Sequence, residues 1–382
     1  MKTKNSVLML DPRGVISLGS SDVYIRQAIY KAYLNILTKS NPLNLLVLTT
    51  NSKENLTLQP NSIRFINFIS TPTFNSINFA FKSLKFIKIN SLVLKLIVVG
   101  DPWESYWSAY FVRKLLSQKI PIQIQLHGDI ADPLWRKINL RNRIRYYLAR
   151  YSVPRADSIR VVSRHQSELV TKHFQIDKGC IEVIPVPINN LGIISKSVRK
   201  NLRTLGFFGR IHKDRGIWDF IELIRKLDTQ TKDFKIIIAG DGPDKEKFLR
   251  QLYQILPKSR VSYVGHIPEK ELHKVWRQVR VLVSLAPVES YGRVMREALV
   301  AGVPVWACSS SGVKDLVNKC ETGSVKIIDL KRSASELSKD FEVLLKTKVG
   351  PKFAKAFIKE NETYAKKLAQ SWINTIEKSE KA

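Results

Sequence analysis

The chain contains 382 residues, of which 63 are Lys or Arg and 33 are Asp or Glu, giving a formal net charge of +30. Its 44% hydrophobic and 9% aromatic residues are typical of a globular protein and exclude a disordered polybasic chain. The length favours two domains, and the charge predicts attraction to polyanions such as nucleic acid, anionic lipid or phosphorylated substrates.

The three cysteines, Cys180, Cys308 and Cys320, lie far apart, with no pair at a spacing typical of metal ligands or redox dithiols. This excludes a disulfide framework and favours a reducing compartment. The amino-terminal apolar stretch ends at Asp11, too soon for a signal peptide, and no apolar run reaches the roughly 20 residues of a membrane span. We therefore expect a cytoplasmic protein that does not cross a membrane.

Short β-branched runs alternate with helix-length segments, which is the pattern of βα units in parallel sheets. The predicted strands are 7–10, 45–49, 64–68, 96–99, 120–126, 159–163 and 181–185, then 204–208, 235–239, 261–264, 281–285, 303–307 and 325–328. We predict an α/β protein with domains over 1–190 and 203–352, a linker over 191–202 and a final helix within 353–382. Two doubly wound domains leave a cleft, and ligands of such sheets bind beyond the carboxyl ends of the strands.

The densest basic stretch runs from Trp135 to Arg164, with nine basic residues and one acid. Residues 134–150 are predicted to form one amphipathic helix, because apolar residues recur at intervals of three or four. The apolar residues are Leu140, Ile144, Leu148 and Tyr151, and the basic residues expected to stack at i, i+4 are Lys137, Arg141 and Arg145. Two interpretations remain open: a solvated helix face, or a surface for anionic lipid.

Two candidate site residues follow predicted strands in the first half, and the first of them could help to bind an anion. Gly19 precedes the predicted helix 23–37, whose N-terminus would open on the cleft. His127 follows the alternating strand 120–126, where a titratable imidazole would face the cleft, unless it serves only a structural role.

In the second half, strand 204–208 runs into Gly209, Arg210, Arg215 and Gly216, after which a helix begins. Two arginines five residues apart and a helix N-terminus are suited to hold a diphosphate. A basic turn of this kind also occurs without a ligand.

The segment after strand 281–285 is the most informative. A helix begins near 291–294, and its free amides suit an anion. Glu289 precedes this helix, and Glu297 is predicted two turns inside it, about 12 Å away at helical rise. Both carboxylates could accept hydrogen bonds from hydroxyl groups on either side of a diphosphate, or each could be a plain cap or surface residue.

These motifs, together with 240–243, 264–265 and 301–305, resemble in order and spacing the family-four retaining glycosyltransferases (glycosyl transferases group 1) with the GT-B fold. The resemblance implies two Rossmann-like domains facing a central cleft, with the final helix returning to the first domain. It implies that Arg210 and Arg215 hold the donor diphosphate, although residue 215 is usually Lys in that family. It also implies that His127 and Glu289 contact the transferred sugar and that Glu297 binds the ribose. The implied donor-binding set is Gly19, Gly209, Gly265, His266, Ile267, Ser290, Tyr291, Gly292, Arg293 and Glu297.

The resemblance therefore implies a metal-independent enzyme that needs no cofactor beyond its nucleotide-diphosphate sugar. The expected acceptor is a saccharide or lipid-linked saccharide of bacterial envelope polysaccharide or glycolipid synthesis, reached at the inner face of the plasma membrane. The alternatives are a nucleotide-sugar epimerase or a phosphorylase on the same fold, and a non-catalytic sugar-binding protein. A nucleic-acid-binding protein is disfavoured, because the basic residues are spread over both halves without a recognisable module.

Overall fold

The computed structural model describes residues 5–14, 30, 32–38, 43–50, 63–68, 76–188 and 202–381, with 63–68 described as backbone only. The chain forms two compact units. Unit 1 comprises Met1–Pro185 with Thr363–Ala382, and unit 2 comprises Val186–Glu362. Gly19 and most of the predicted linker 191–202 lie outside the described residues.

Unit 1 contains a parallel sheet of seven strands in the order β3-β2-β1-β4-β5-β6-β7. The strands are β1 (Asn5–Asp11), β2 (Asn44–Thr50), β3 (Ile63–Phe68), β4 (Val93–Val99), β5 (Ile122–Gln125), β6 (Ser158–Val161) and β7 (Ile181–Val183). The helices with described bounds are α1 (Ser76–Ile89), α2 (Glu104–Leu116), α3 (Pro133–Lys137), α4 (Leu140–Ser152) and α5 (Arg164–Phe174). The side chains of β5 and β6 are all buried, as expected of a parallel sheet covered on both faces.

Unit 2 contains a parallel sheet of six strands in the order β10-β9-β8-β11-β12-β13, the doubly wound order 3-2-1-4-5-6. The strands are β8 (Thr204–Phe208), β9 (Lys235–Ala239), β10 (Val261–Gly265), β11 (Val281–Ser284), β12 (Val305–Ala307) and β13 (Val325–Ile327). The helices are α6 (Ile217–Gln230), α7 (Lys245–Ile255), α8 (Leu272–Trp276), α9 (Arg293–Val300), α10 (Ser311–Val317), α11 (Ala334–Lys346) and α12 (Pro351–Lys381). A strand therefore lies at each of the thirteen positions where the sequence predicts one.

The carboxyl-terminal part of α12 is built into unit 1. Tyr364, Leu368, Trp372 and Ile376 recur every four residues and pack in the same core as Val7 of β1. The Trp372 indole N–H donates to the Gln123 side-chain oxygen at 2.9 Å. Apolar burial and a buried polar contact thus fix this segment against the sheet of unit 1.

The prediction of one helix over 134–150 is wrong. The chain forms α3 and α4 instead, because the Asn139 side chain accepts a hydrogen bond from the Asn142 N–H at 2.8 Å and so starts a new helix. Lys137 therefore lies on α3 and does not stack on Arg141 and Arg145 of α4.

Candidate active site

A cavity of about 270 Å³ lies beyond the carboxyl ends of β8 and β11 in unit 2. These two strands are neighbours, and β9 lies on the other side of β8, so the order of the sheet reverses at this point. Such a switch point is where open α/β sheets bind their ligands. The cavity is lined by Phe207, Phe208, Gly209, Arg210, Arg215, Val283, Ser284, Ala286, Glu289, Gly292, Arg293, Val294 and Met295.

Three arginines lie on the wall of this cavity. Arg215 donates to the Glu289 carboxylate at 2.6 Å, and Arg293 donates to the Glu297 carboxylate at 3.1 Å. Arg210 is exposed and forms no ion pair with any residue that the structure describes. The cavity wall therefore carries one arginine without an ionic partner among the described residues, and two arginines that are each paired with a glutamate.

The Glu289 carboxylate joins the two loops that border the cavity. Its Oε1 accepts hydrogen bonds from the N–H groups of Gly292 at 3.0 Å and Tyr291 at 3.4 Å, while its Oε2 accepts from Arg215. These amides precede the first residue of α9, Arg293. Glu289 therefore braces the turn that leads into α9 and also lines the cavity, and its role toward a sugar stays a prediction.

Glu297 is closer to the start of its helix than the spacing predicts. Because α9 begins only at Arg293, Glu297 lies about one turn inside it, and the 12 Å helical spacing to Glu289 does not apply. Its side chain is 8% exposed, is held by Arg293 and does not line the cavity. Glu297 therefore does not contact the cavity itself but holds Arg293, which lines it.

A buried ion pair beneath the Glu289 loop was not anticipated from the sequence. The Arg296 guanidinium, 1% exposed, donates to Asp315 at 2.7 Å and stacks on the Tyr291 ring at 3.7 Å from its centroid. Next to it, the Gly312 N–H donates to the Glu289 carbonyl oxygen at 2.6 Å. The available sequence signal is a single arginine within the otherwise apolar face of α9, with an acid in α10.

The turn after β9 supports the loop that carries Arg210. The Gly209 N–H donates to the Ala239 carbonyl oxygen at 2.9 Å, and the Ile211 N–H donates to the Asp241 carbonyl oxygen at 3.0 Å. The Asp244 carboxylate accepts from the Lys213 N–H at 2.8 Å. The turn after β9 therefore positions the loop that carries Arg210.

Gly216 brings the arginine loop against the glutamate loop. It adopts φ of +68° at the start of α6, and a Cβ there would lie 2.0 Å from the Leu285 carbonyl oxygen. The backbone of one loop therefore packs directly on the other, which brings Arg215 to Glu289.

We expect Gly216→Ala to lower both stability and site function. A non-glycine residue in the left-handed region lowers the free energy of unfolding by about 1–2 kcal/mol. The added methyl group would also overlap the Leu285 carbonyl oxygen, so the loop would have to move. Gly323 is the matched control, because it has φ of +86° and nothing within 4 Å of its would-be Cβ. Thermal unfolding should show a midpoint decrease at least twice as large for Gly216→Ala as for Gly323→Ala, and equal decreases would contradict the packing argument.

The other predicted residues lie apart from the cavity lining. Gly265, His266 and Ile267 lie at the end of β10, next to the Gly240 turn, where the Gly240 N–H donates to the Gly265 carbonyl oxygen at 2.7 Å. Ser290 and Tyr291 follow Glu289 in the same loop and are buried. His127 is exposed after β5 in unit 1. The roles of these residues stay predictions.

Cys308 lies beneath the cavity and donates from its thiol to the Ala286 carbonyl oxygen at 3.1 Å. Burial raises the pKa of this thiol to about 12, so it is protonated at neutral pH and is a poor nucleophile. Across the ranges that the structure describes, no group of three His, Cys, Asp or Glu side chains is placed to bind a metal ion. In those same ranges no helix combines the length and the apolar character of a membrane span.

Residues 193–364 match the family described as glycosyl transferases group 1. N-acetyl-alpha-D-glucosaminyl L-malate synthase of Bacillus anthracis is 22% identical over 218 residues, which cover 56% of this chain and 56% of that protein. The 2-deoxystreptamine glucosyltransferase of Streptomyces kanamyceticus is 29% identical over 38% of this chain and 37% of its own length. The chain thus matches about half or less of the length of these curated relatives.

Solved structures resemble almost the whole chain. A sucrose-phosphate synthase from Thermosynechococcus elongatus superposes with a TM-score of 0.69 at 18% identity, over 99% of this chain and 98% of its own. Anabaena HepE in complex with UDP and glucose gives a TM-score of 0.62 at 17% identity, over 97% of both chains. At these identities the likeness shows the fold, which is GT-B. The match to glycosyl transferases group 1 covers residues 193–364, which lie almost entirely in unit 2.

Proposed function

We propose that this protein transfers a sugar from a nucleoside-diphosphate donor to a hydroxyl group of an acceptor, with retention of configuration at the anomeric carbon. The observation that carries the proposal is the position of Arg210 and Arg215 at the switch point of unit 2, beside the Glu289 carboxylate. The match of residues 193–364 to glycosyl transferases group 1 supports the reaction class. The UDP in the complex with HepE supports a nucleoside diphosphate as the leaving group.

In the proposed reaction, the bond from the anomeric carbon to the β-phosphate oxygen breaks, and its electron pair stays on the phosphate. The acceptor hydroxyl oxygen bonds to the anomeric carbon on the same face, and its proton passes to the leaving phosphate oxygen. Negative charge therefore grows on the diphosphate in the transition state. Arg210 and Arg215 are fixed positive charges that stabilise this charge, and the α9 N-terminus adds its dipole.

Glu289 serves the sugar in this proposal. Its carboxylate is an acceptor for donor-sugar hydroxyl groups once Arg215 turns to the diphosphate. Glu297 would hold ribose hydroxyls, and His127 would contact the donor sugar. Because the arginines neutralise the leaving group, we propose that no metal ion is required.

We propose a saccharide or a lipid-linked saccharide as the acceptor, at the inner face of a bacterial plasma membrane and in envelope polysaccharide or glycolipid synthesis. One solved structure of the same fold is a lipopolysaccharide outer core galactosyltransferase, at 13% identity and a TM-score of 0.65. It supports this class of acceptor by analogy of fold alone.

The proposal is tested by screening nucleotide sugars for thermal stabilisation, because a ligand that binds the native state raises the unfolding midpoint. The selected donor is then incubated with saccharide acceptors in EDTA, and the product is examined by NMR. We expect a new glycosidic bond with the donor's anomeric configuration, formed only when an acceptor is present. Conversion of the donor without an acceptor would identify an epimerase, and an inverted product would contradict retention.

Arg210→Ala tests the proposed site in this assay, and Arg277→Ala is its matched control. Arg210→Ala should lose donor stabilisation and transfer together, because it removes the unpaired charge of the cavity. Arg277→Ala removes an exposed arginine of unit 2 that does not line the cavity, and it should leave both properties unchanged.

A further inference from the structure

Helix α4 has an apolar face directed to solvent. Leu140, Ile144, Tyr147 and Tyr151 are 68%, 55%, 63% and 38% exposed. Their spacing of four, three and four residues places them in one stripe along the helix. The buried side of the same helix consists of Tyr146, Ala149 and Ser152. The predicted amphipathic pattern is therefore inverted, with three of its four apolar residues exposed.

Positive charge flanks this stripe. Arg143 and Arg150 are exposed on one side of it, and Arg141, whose side chain is 66% exposed, lies on the other. Residues 133–156 contain seven basic residues and no Asp or Glu. The nearby acid Glu104 is buried, accepts from Arg145 at 2.5 Å and forms a longer ion pair with Arg141 at 3.8 Å. We call the stripe and the three exposed arginines beside it the α4 outer face. It comprises Leu140, Arg141, Arg143, Ile144, Tyr147, Arg150 and Tyr151.

The α4 outer face is held rigidly by the rest of unit 1. The Tyr151 ring stacks on Trp107 of α2, with centroids 5.1 Å apart and planes at 15°. Ser152 donates from its hydroxyl to the Pro102 carbonyl oxygen at 2.5 Å, and Asn139 caps the first turn. The stripe is thus formed in advance, and a partner does not have to order it on binding.

We infer that the α4 outer face binds the surface of an anionic membrane. A helix lies in the plane of a bilayer interface when an apolar stripe is bordered by basic side chains, since the stripe enters the acyl boundary while the charges meet the headgroups. Tyrosine is suited to the headgroup level because its ring is apolar and its hydroxyl is polar. Nucleic acid would satisfy the arginines but would leave the aliphatic side chains of Leu140 and Ile144 without an apolar environment.

The test is flotation of the full-length protein with vesicles of phosphatidylcholine alone and of phosphatidylcholine with 30% phosphatidylglycerol. We expect at least tenfold stronger partitioning to the anionic vesicles, with most of it lost in 0.5 M NaCl because salt screens exposed charges. Leu140→Ser with Ile144→Ser should reduce partitioning at least tenfold. Both positions are exposed, so the unfolding midpoint should not change, and this is measured in parallel.

Two matched controls separate this face from a general effect. Val317→Ser with Val343→Ser removes two exposed apolar side chains from unit 2 (46% and 54% exposed) and should change partitioning less than twofold. Arg143→Gln with Arg150→Gln should weaken binding to anionic vesicles more than Lys352→Gln with Lys355→Gln, a loss of two exposed charges on α12.

Three outcomes would overturn the inference. The first is equal binding to neutral and anionic vesicles, and the second is unchanged binding of the Leu140→Ser, Ile144→Ser variant. The third is tighter binding to single-stranded RNA than to anionic vesicles, with no effect of the serine substitutions, which would identify a nucleic-acid surface. None of these measurements depends on glycosyl transfer, so the inference and the proposed function can fail independently.

Discussion

Glu289→Gln is expected to lower kcat/KM for glycosyl transfer by about 10²–10³-fold, the range found when one preorganised polar group is removed from a transition-state site. Glutamine retains an oxygen for the amides of Gly292 and Tyr291, so the start of α9 should stay folded. It removes the negative charge that faces Arg215 at 2.6 Å. Steady-state kinetics with the selected donor measures the effect.

The same substitution is expected to tighten binding of the free nucleoside diphosphate by about threefold to tenfold, because an exposed ion pair is weak and its loss frees a cation for the ligand. The Glu289 carboxylate accepts hydrogen bonds from Arg215 and from the amides of Tyr291 and Gly292, just before α9. These are the groups proposed to serve the diphosphate, so the carboxylate competes with it. Calorimetric titration with the nucleoside diphosphate gives the affinity.

Glu222→Gln is the control for both measurements, since it removes one exposed carboxylate that pairs with Arg225 on α6. It should leave transfer and affinity unchanged. Turnover near wild type in Glu289→Gln would remove Glu289 from the catalytic assignment. Weaker binding of the diphosphate would show instead that the carboxylate does not compete for the arginine.

Asp315→Ala is expected to destabilise unit 2 by about 3–5 kcal/mol, the usual cost of leaving a buried charge without its partner. The Arg296 guanidinium would lose the bond of its Nη2 to Asp315 and keep its stack on Tyr291, while its buried Nη1 has no hydrogen-bond partner in the described part of the chain. For a unit of this size the unfolding midpoint should fall by roughly 10 °C. Because Tyr291 belongs to the loop of Glu289, transfer should also fall.

Two comparison variants make this expectation specific. Asp233→Ala removes a carboxylate that is 87% exposed and pairs with Arg203, and it should cost less than about 1 kcal/mol. Arg296→Met combined with Asp315→Leu should recover most of the lost stability, because it removes both buried charges. If the double variant were as unstable as Asp315→Ala, packing volume rather than the unpaired charge would explain the loss.

The strands were predictable because each is short, β-branched and bounded by turn residues. In unit 2 the predicted bounds of β8 and β9 coincide with the observed ones. The bounds elsewhere differ by a few residues at most, as for β5, because hydrogen bonding to neighbours decides where pairing ends. The helix over 134–150 was not predictable in this way, since the competing cap at Asn139 broke it.

The candidate site was predictable in part. Arg210, Arg215 and Glu289 follow strands in the sequence, and the carboxyl ends of parallel strands meet at one edge. The pairing of Arg215 with Glu289 was not predictable, because it depends on the close approach of Gly216 to Leu285 across 69 residues of chain. The buried contact of Arg296 with Asp315 likewise joins two helices whose separation no local pattern encodes.

The sequence by itself determined the excess of positive charge, which is a matter of composition. It also determined the alternation of strands and helices and the residues that end β8 and β11, because propensity and turn chemistry act over a few neighbouring residues. Only the tertiary structure decided which charges are paired, that Arg210 has no ionic partner among the described residues, and that α4 turns Leu140 and Ile144 toward solvent. Periodicity shows that a helix has two faces. Which of them is buried depends on the neighbours it packs against, and these are distant in the chain.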